Sequence, residues 1–180
     1  MTTTTLERRA EGRPTPAEAA AYYFKYIDRV PGDDVVSVLE RQLGETLAAL
    51  QAVDEKRSLH RYAADKWSAR EVLSHVNDGE RLFSFRAFWF ARGFDSPLPS
   101  FDEKTAAAAA HADDVPWSAH VDEFRALRLA SLALFKSLAP GSWTKTGVAS
   151  DNPFSVRALA YICAGHLDHH LAILKDRYFA

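Results

Sequence analysis

The chain has 180 residues, of which 47% are hydrophobic and 26% are charged, and its 22 basic and 24 acidic residues give a net charge of -2. This composition is typical of a globular protein and excludes an intrinsically disordered chain. The balance of charge, without a cluster of Lys and Arg, argues against nucleic acid as a partner. No uncharged apolar run approaches the length of a bilayer span, which argues against a membrane as a partner.

Chain length and the N-terminus set the expected domain organisation. A chain of this length holds one domain with a full hydrophobic core and is too short for two ordinary domains. We expect a polar, frayed tail over residues 1–13 and a single domain over 14–180. The first ten residues carry charges where a secretory signal needs an apolar core, so we expect a cytoplasmic location. The single cysteine, Cys163, leaves no partner for a disulfide within the chain and is consistent with a reducing compartment.

A short helix is predicted near the N-terminus, over residues 17–29. Thr15 and Pro16 provide an N-cap and a first-turn proline, and Pro31 followed by Gly32 ends the segment. We expect this short helix to lie across the longer helices that follow.

Four longer segments carry apolar residues at steps of three and four, which is the pattern of a helix with one buried face. The tetrad from Ser68 to Glu71 is a capping box that starts the second of them. Residues 101–113 have high helix propensity but little apolar bulk, so we expect a short surface helix there. Residues 142–154 are rich in Gly, Ser, Thr and Asn, and we expect a loop without strands. Asp33 or Asp34 can cap the first segment, and the others begin at or after Ser68, Ser118 and Ser155. The four segments end near Val53, Gly93, Pro140 and Tyr178.

These elements predict an all-α protein built as a four-helix bundle. A helix of about 20 residues is about 30 Å long, which suits such a bundle. Inward-facing side chains of four-helix bundles commonly form metal or cofactor sites. We therefore expect polar residues on the buried faces to mark the functional site.

The stretch from Cys163 to His170, Cys-Ala-Gly-His-Leu-Asp-His-His, has the strongest functional signal in the chain. His166 and His170 lie four residues apart in the last helix, so they project from one face, one turn apart. That spacing suits chelation of a divalent metal. The alternative is a pair of core histidines that are hydrogen-bonded to their neighbours. Two imidazoles alone hold a metal weakly, so a third ligand is expected from another helix.

His75 is the best candidate for the third ligand, because it lies beside the apolar stripe of the second long segment. Gly79, one turn further on, would leave room for a metal or a ligand against that helix. Three histidines with open positions are typical of a catalytic metal site, since structural zinc sites are closed by four protein ligands. Imidazole suits zinc, nickel and iron, so the identity of the metal stays open.

Other residues of the last helix give weaker signals. Leu167 stands where the zincin motif His-Glu-x-x-His needs a glutamate, which disfavours peptide hydrolysis by that mechanism. His169 could replace His170 in an i, i+3 arrangement, although a surface position suits it better, and Asp168 is expected in solvent. Cys163 is expected to be a small buried residue and not a ligand.

Two acidic residues of the second segment have more than one interpretation. Asp78 and Glu80 are placed to orient His75 or to act as a base. Because the same helix carries Arg81 and Arg86, surface ion pairs are the simpler interpretation.

The motifs of the second and last segments resemble those of the DinB-like superfamily. They are Lys66-Trp67-Ser68 before a helix with His75 and Asp78-x-Glu80-Arg81, then Phe85-Arg86 and Ala91-Arg92-Gly93, and finally Val156-Arg-Ala-Leu-Ala-Tyr161 with Gly165-His166-x-x-His169-His170. The likeness covers residues 16–178. It implies a four-helix bundle with helices in up-down-down-up order, a divalent metal held by three histidines, and frequent dimerisation.

Carried over to this chain, the resemblance implies His75, His166 and His170 as the metal ligands and a homodimer as the assembly. Related members include thiol-dependent S-transferases, which implies a small-molecule substrate. Our first hypothesis is therefore a divalent-metal-dependent transferase in which a low-molecular-weight thiol attacks a small electrophile. A non-catalytic metal-binding or stress-related protein is one alternative, and a metal-dependent hydrolase is the other. No arrangement of Ser, His and Asp or of a reactive Cys indicates a nucleophile in the protein itself.

Overall fold

The structure, a computed structural model, describes residues 12–179, and the predicted tail over 1–13 lies almost entirely outside the described residues. Within residues 12–179, no helix has both the length and the apolar character that a bilayer crossing requires. The helices are α1 (Phe24–Ile27), α2 (Val35–Gln51), α3 (Glu55–Ser58), α4 (Ala69–Ala91), α5 (Glu103–Ala110), α6 (Trp117–Ser137) and α7 (Val156–Ile173), and the strands are β1 (Thr146–Ala149) and β2 (Asn152–Ser155).

The four long helices α2, α4, α6 and α7 form a bundle in which α4 packs against α6 and α7, and α2 packs against the same two helices. The indole of Trp117, at the start of α6, donates to the carbonyl of Leu50 near the end of α2, so these two helices are antiparallel. The hydroxyl of Tyr178 donates to the carbonyl of Trp67, just before α4, so α4 and α7 are also antiparallel. The side chain of Asn77 on α4 donates to the carbonyl of His120 on α6, and Arg128, further along α6, donates to Glu80, further along α4. The contacts follow the same order in both helices, so α4 and α6 run parallel. The predicted all-α bundle with up-down-down-up helices is thus confirmed.

Side-chain caps fix where three of the long helices begin. The carboxylate of Asp34 accepts from the backbone N–H of Ser37 at 3.1 Å, and the hydroxyl of Ser155 accepts from that of Ala158 at 3.0 Å. At the start of α4, Ser68 and Glu71 form the predicted capping box, each side chain accepting from the other's backbone N–H. Each cap satisfies a backbone donor that the first helical turn leaves unpaired.

The N-terminal helix is shorter than the predicted span 17–29. Ala20 is extended, with φ -61° and ψ 148°, so helical structure starts only after it, as a 3-10 turn followed by the single turn of α1. This turn packs directly on α7, because a Cβ on Gly165 would overlap the backbone carbonyl of Tyr26. A glycine at this position therefore lets α1 reach the helix that carries His166.

The connection between α6 and α7, predicted as a loop over 142–154, contains a β-hairpin. β1 and β2 pair antiparallel, and the two residues between them, Ser150 and Asp151, both have positive φ, of 50° and 59°. Two successive residues with positive φ are the signature of a type I′ turn, whose twist matches that of the strands it joins. The prediction of a strand-free loop was wrong because four-residue strands, one of them containing Pro153, are too short to show alternation.

A buried ion pair joins three helices of the bundle. The guanidinium of Arg128 on α6 donates to both carboxylate oxygens of Glu80 on α4, at 2.9 and 3.0 Å, and neither side chain is more than 2% exposed. The same guanidinium donates to the carbonyl of Leu39 and the side chain of Gln42 on α2. The interpretation of Glu80 as half of a surface pair, or as a base near His75, is therefore wrong, since its carboxylate is fully engaged inside the core.

Candidate metal centre

The three predicted ligands come together in the interior of the bundle. α4 presents His75 about two turns after its capping box, and the antiparallel α7 presents His166 and His170 one turn apart on the facing side. Gly79 on α4 permits this approach, since a Cβ there would stand 2.7 Å from Cε1 of His166. The ring of His166, a predicted metal ligand, thus lies against Gly79, and Gly79 also lines a cavity beside the histidines.

The geometry of this three-histidine cluster, His75, His166 and His170, is compact. One ring nitrogen from each residue lies within 4.8 Å of the other two. The ring centroids are 4.5 to 4.9 Å apart, and Nε2 of His75 lies 3.1 Å from Nε2 of His166. Among residues 12–179, no carboxylate or thiol joins this group.

Burial keeps the three imidazoles neutral. Burial lowers the pKa of His75, and burial together with the proximity of the His170 ring lowers the pKa of His166 well below its usual value. Burial, reinforced by His75, lowers the pKa of His170 to about 3. At neutral pH each ring is therefore neutral, with one nitrogen that carries no proton, and an imidazole in this form binds a metal.

The contacts of the three histidines indicate that the cluster can hold a divalent ion. Nε2 of His170 is buried and makes no hydrogen bond, so a polar atom that should have a partner in the core has none. The 3.1 Å between the Nε2 atoms of His75 and His166 is close to the separation of two nitrogens that each bind one ion at about 2.0–2.1 Å. Three imidazole nitrogens without a fourth protein ligand form an open site, suited to zinc, nickel or iron.

Aromatic side chains enclose the cluster on several sides. The ring of Trp67 lies 5.2 Å from that of His75, and the rings of Tyr26 and Phe83 lie 5.2 and 5.6 Å from that of His166. Tyr26 comes from α1, so the short N-terminal helix forms part of the wall. Sequence reasoning assigned no role to Tyr26, because nothing in its local pattern shows which helix α1 covers.

The remaining candidates on α7 lie outside the cluster. Cys163 is 2% exposed, and burial raises the pKa of its thiol well above the usual value, so it is the inert buried residue that was predicted. His169 is partly exposed and packs its ring 5.5 Å from that of Tyr26. Asp168 lies near the surface, where it accepts a hydrogen bond from Nε of Arg29 at 2.8 Å.

Asp78 on α4 also stays outside the cluster. Its carboxylate pairs with Arg81 at 3.5 Å, and both side chains are substantially exposed. This is the surface ion pair that the sequence favoured, although burial of part of the side chain raises the pKa of Asp78.

Within the part of the chain that the structure describes, two neighbouring cavities reach the histidines. The first, of about 390 Å³, is here called the tyrosine cavity, and Tyr23, Tyr26, Phe83 and Arg86 line it together with His75 and His166. The second, of about 570 Å³, is called the tryptophan cavity, and Tyr62, Trp67, Val72 and Tyr178 line it together with His170. Glu103 and Lys104, in the first turn of α5, line both cavities. The predicted surface helix α5 therefore borders the site, a role that its small side chains did not indicate.

Arg86 is a further residue of the site that sequence reasoning missed. It was assigned to surface ion pairs, but it is 2% exposed and lines the tyrosine cavity. Its position was readable in principle, because Arg86 follows Phe83 by three residues and precedes Phe90 by four on the buried stripe of α4.

The fold and the cluster define a class of helical-bundle proteins that gather histidines from two antiparallel helices in their interior. A family model for the DinB superfamily matches residues 38–174. The chain belongs to this superfamily, as its motifs indicated. Comparison with functionally curated proteins gave no sequence match.

Two solved structures share the fold. YfiT from Bacillus subtilis, described as a probable metal-dependent hydrolase with an unusual four-helix bundle topology, matches with a TM-score of 0.71 and 17% identity over 94% of each chain. A mycothiol-dependent maleylpyruvate isomerase matches with a TM-score of 0.64 and 11% identity, over 86% of this chain and 63% of the isomerase chain. At these identities the similarity establishes the fold, and the chemistry must be argued from the site.

Proposed function

We propose that this protein is a metal-dependent enzyme that joins a small thiol to a small electrophile, with His75, His166 and His170 as the ligands of a zinc, nickel or iron ion. The observation that carries the proposal is the position of three neutral imidazoles, two buried and that of His170 partly buried, on the walls of two neighbouring cavities. A divalent ion held by these nitrogens supplies Lewis-acid chemistry, because it lowers the pKa of a thiol or a water molecule that binds to it.

The residues of the chain prepare the site for this reaction. His75 and the two histidines of α7 are held by helices that pack tightly on each other, so their geometry is set before a substrate arrives. The rings of Trp67, Phe83 and Tyr26 limit the access of water, which strengthens electrostatic effects inside the site.

The nucleophile must come from outside the protein. Cys163 is buried and its thiol pKa is raised, so it is not available as a thiolate. The two neighbouring cavities reach different histidines, and room for two substrates favours transfer from a thiol over a reaction with a single substrate. Hydrolysis is the second candidate, favoured by the three-ligand site, which leaves a position open for water.

A paired activity assay tests the proposal. The zinc-loaded and nickel-loaded proteins are incubated with glutathione or cysteine and 1-chloro-2,4-dinitrobenzene, and thioether formation is followed by absorbance. We expect turnover that His75→Ala lowers by at least about 100-fold and that His169→Ala leaves intact, since removal of a ligand disables the metal. Turnover that survives His75→Ala would contradict the mechanism.

The same preparations separate the alternatives. Hydrolysis of p-nitrophenyl acetate without a thiol, lost in His75→Ala, would favour the hydrolase. Bound metal without turnover in either assay would favour a non-catalytic metal-binding protein.

A further inference from the structure

Arg86 differs from the other buried arginines of the described chain. Residues 12–179 contain three of them, Arg70, Arg86 and Arg128. Arg70 pairs with Glu55 and Arg128 pairs with Glu80. Arg86 has no carboxylate within ion-pair distance among the described residues, although it is only 2% exposed. A guanidinium in the interior without a counter-ion is costly, so this charge needs an explanation.

The contacts of Arg86 leave part of its guanidinium unused. One terminal nitrogen donates to the carbonyl of Pro99 at 3.0 Å and to the hydroxyl of Ser150 at 2.9 Å, and both acceptors are neutral. The phenol of Tyr23 lies nearby. Nε is buried and makes no hydrogen bond. The side chain is therefore held by neutral acceptors, and its buried Nε has no partner, although Arg86 lines the tyrosine cavity and has no counter-ion there.

The carboxylates that line the tyrosine cavity do not neutralise Arg86. Asp102 accepts the backbone N–H of Thr105 at 2.6 Å and so caps α5, and Glu103 is exposed at the start of the same helix. Neither forms an ion pair with Arg86. A planar guanidinium with unused N–H donors matches a carboxylate, which it binds through charge-assisted hydrogen bonds.

Aromatic rings form part of the tyrosine cavity, and polar side chains form the rest. Tyr23, Tyr26 and Phe83 line this cavity together with Arg86 and His166. His166 packs against Gly79, and Arg86 follows Gly79 by seven residues on α4, which corresponds to a rise of about 10 Å along the helix. A ligand that contacts both Arg86 and His166 must therefore extend along α4 through the cavity.

We infer that Arg86 binds the carboxylate of a small aromatic acid, whose opposite end lies at the three-histidine cluster. This inference rests on the proposed function and specifies the substrate class of the same site. Arg86 selects and orients the acid, and the tyrosine cavity is the electrophile's side of the site. The tryptophan cavity then remains for the thiol.

Binding of a matched pair of probes tests the inference. The probes are 4-phenylbutanoate and its neutral isostere 4-phenylbutanamide, titrated by calorimetry into the metal-loaded protein and into protein stripped with a chelator. We expect the acid to bind at least about tenfold more tightly than the amide in both preparations. Equal affinities, or no binding of the acid, would overturn the inference. A preference that disappears with the metal would also overturn it, because the carboxylate would then be binding the ion.

Variants locate the source of the preference. Arg86→Met is expected to remove it, whereas Lys104→Met, which deletes an exposed cation of the same cavity, is expected to leave it unchanged within twofold. Arg86→Lys keeps a cation and most of the apolar stem, and it should weaken binding of the acid at least about fivefold without affecting the amide. Loss of the preference in Lys104→Met but not in the Arg86 variants would refute the assignment.

A failure of this inference can be distinguished from a failure of the proposed function. Metal content is measured by elemental analysis on the same samples. A protein that binds no metal but prefers the acid through Arg86 would contradict the proposed function and support the acid site. A metal-loaded protein without this preference would leave the proposed function standing and contradict the acid site.

Discussion

Gly79 controls how closely the ring of His166 approaches α4. A Cβ at this position would stand 2.7 Å from Cε1 and 2.9 Å from Nδ1 of that ring, so Gly79→Ala must displace it. We expect Gly79→Ala to retain less than about half of the wild-type zinc after dialysis, since misplacement of a ligand by a fraction of an ångström weakens a metal site.

Gly44→Ala is the matched control for Gly79→Ala. Gly44 is an exposed glycine of α2 with open space around its Cβ position. Alanine there should stabilise the protein by about 0.5–1 kcal/mol and leave zinc content unchanged. Equal zinc content in the two variants, measured by elemental analysis, would show that Gly79 does not position His166.

Two carboxylates of α4 have opposite roles although they are two residues apart. Glu80 is buried with Arg128, whereas Asp78 pairs with Arg81 near the surface. Glu80→Gln leaves the buried guanidinium without its counter-charge and should lower the free energy of unfolding by about 3–5 kcal/mol. Asp78→Asn should change it by less than about 0.5 kcal/mol. Urea denaturation measures both values, and a similar cost for the two variants would refute the assignment of Glu80 to the core.

At the scale of elements, Glu18 ties the N-terminal segment to the start of α7. Its carboxylate accepts from the hydroxyl of Ser155 at 2.7 Å and from Nε of Arg157 at 2.6 Å. Burial alone would raise the pKa of Glu18, but hydrogen bonds from Arg157, from Ser155 and from the backbone and side chain of Thr15 lower it from 4.5 to about 2. The anchor therefore holds α1, which covers the histidines, through a charged group that stays ionised in mild acid.

The depressed pKa of Glu18 predicts how stability changes with pH. A carboxyl group whose pKa is lower in the folded state contributes its full stabilisation above the unfolded value of 4.5 and loses it as pH falls toward 2. The full contribution is of the order of 3 kcal/mol. Glu18→Gln should lower stability at pH 7 by up to this amount, and its difference from wild type should shrink as the pH falls from 5 to 2.

Urea denaturation at several pH values measures this dependence, with Glu45→Gln as the control. Glu45 makes only an exposed ion pair with Arg41 at 3.7 Å, so its replacement should cost less than about 0.5 kcal/mol at any pH. A difference between Glu18→Gln and wild type that stays constant from pH 7 to pH 2 would contradict the anchoring role.

The elements also differ in how well the sequence predicted them. The long helices were readable because their apolar periodicity and their caps at Asp34, Ser68 and Ser155 agree with each other. The hairpin was not readable, because its strands have four residues each and its turn residues, Ser150 and Asp151, are not the Asn-Gly pair that usually signals a type I′ turn.

At the scale of the whole molecule, the sequence predicted the centre of the site but not its surroundings. The i, i+4 spacing of His166 and His170 is a local property of one helix, so it can be recognised in the sequence without knowledge of the fold. The buried position of Arg86 follows from the apolar stripe of α4, whereas the role of Tyr26 depends on how distant segments pack, which no local pattern encodes. The pairing of Glu80 with Arg128, 48 residues away, was missed for the same reason.

Homodimer formation stays a prediction from the family. The outer surface of α4 and α6 offers an apolar groove for it, lined by Phe85, Phe88, Leu127 and Leu134, and Phe85 is 48% exposed. This groove is separate from the cavities that reach the histidines, so we propose that dimerisation leaves both routes to the site open.

The stoichiometry of bound metal tests the central claim most directly. The protein is produced in medium with added zinc or nickel, dialysed, and analysed for metal beside His75→Ala, His166→Ala, His170→Ala and His169→Ala. We expect about one equivalent per chain in wild type and in His169→Ala, and less than about a tenth in each of the other three. Less than about a tenth of an equivalent in wild type, with a melting temperature that added zinc or nickel does not raise, would contradict the metal centre.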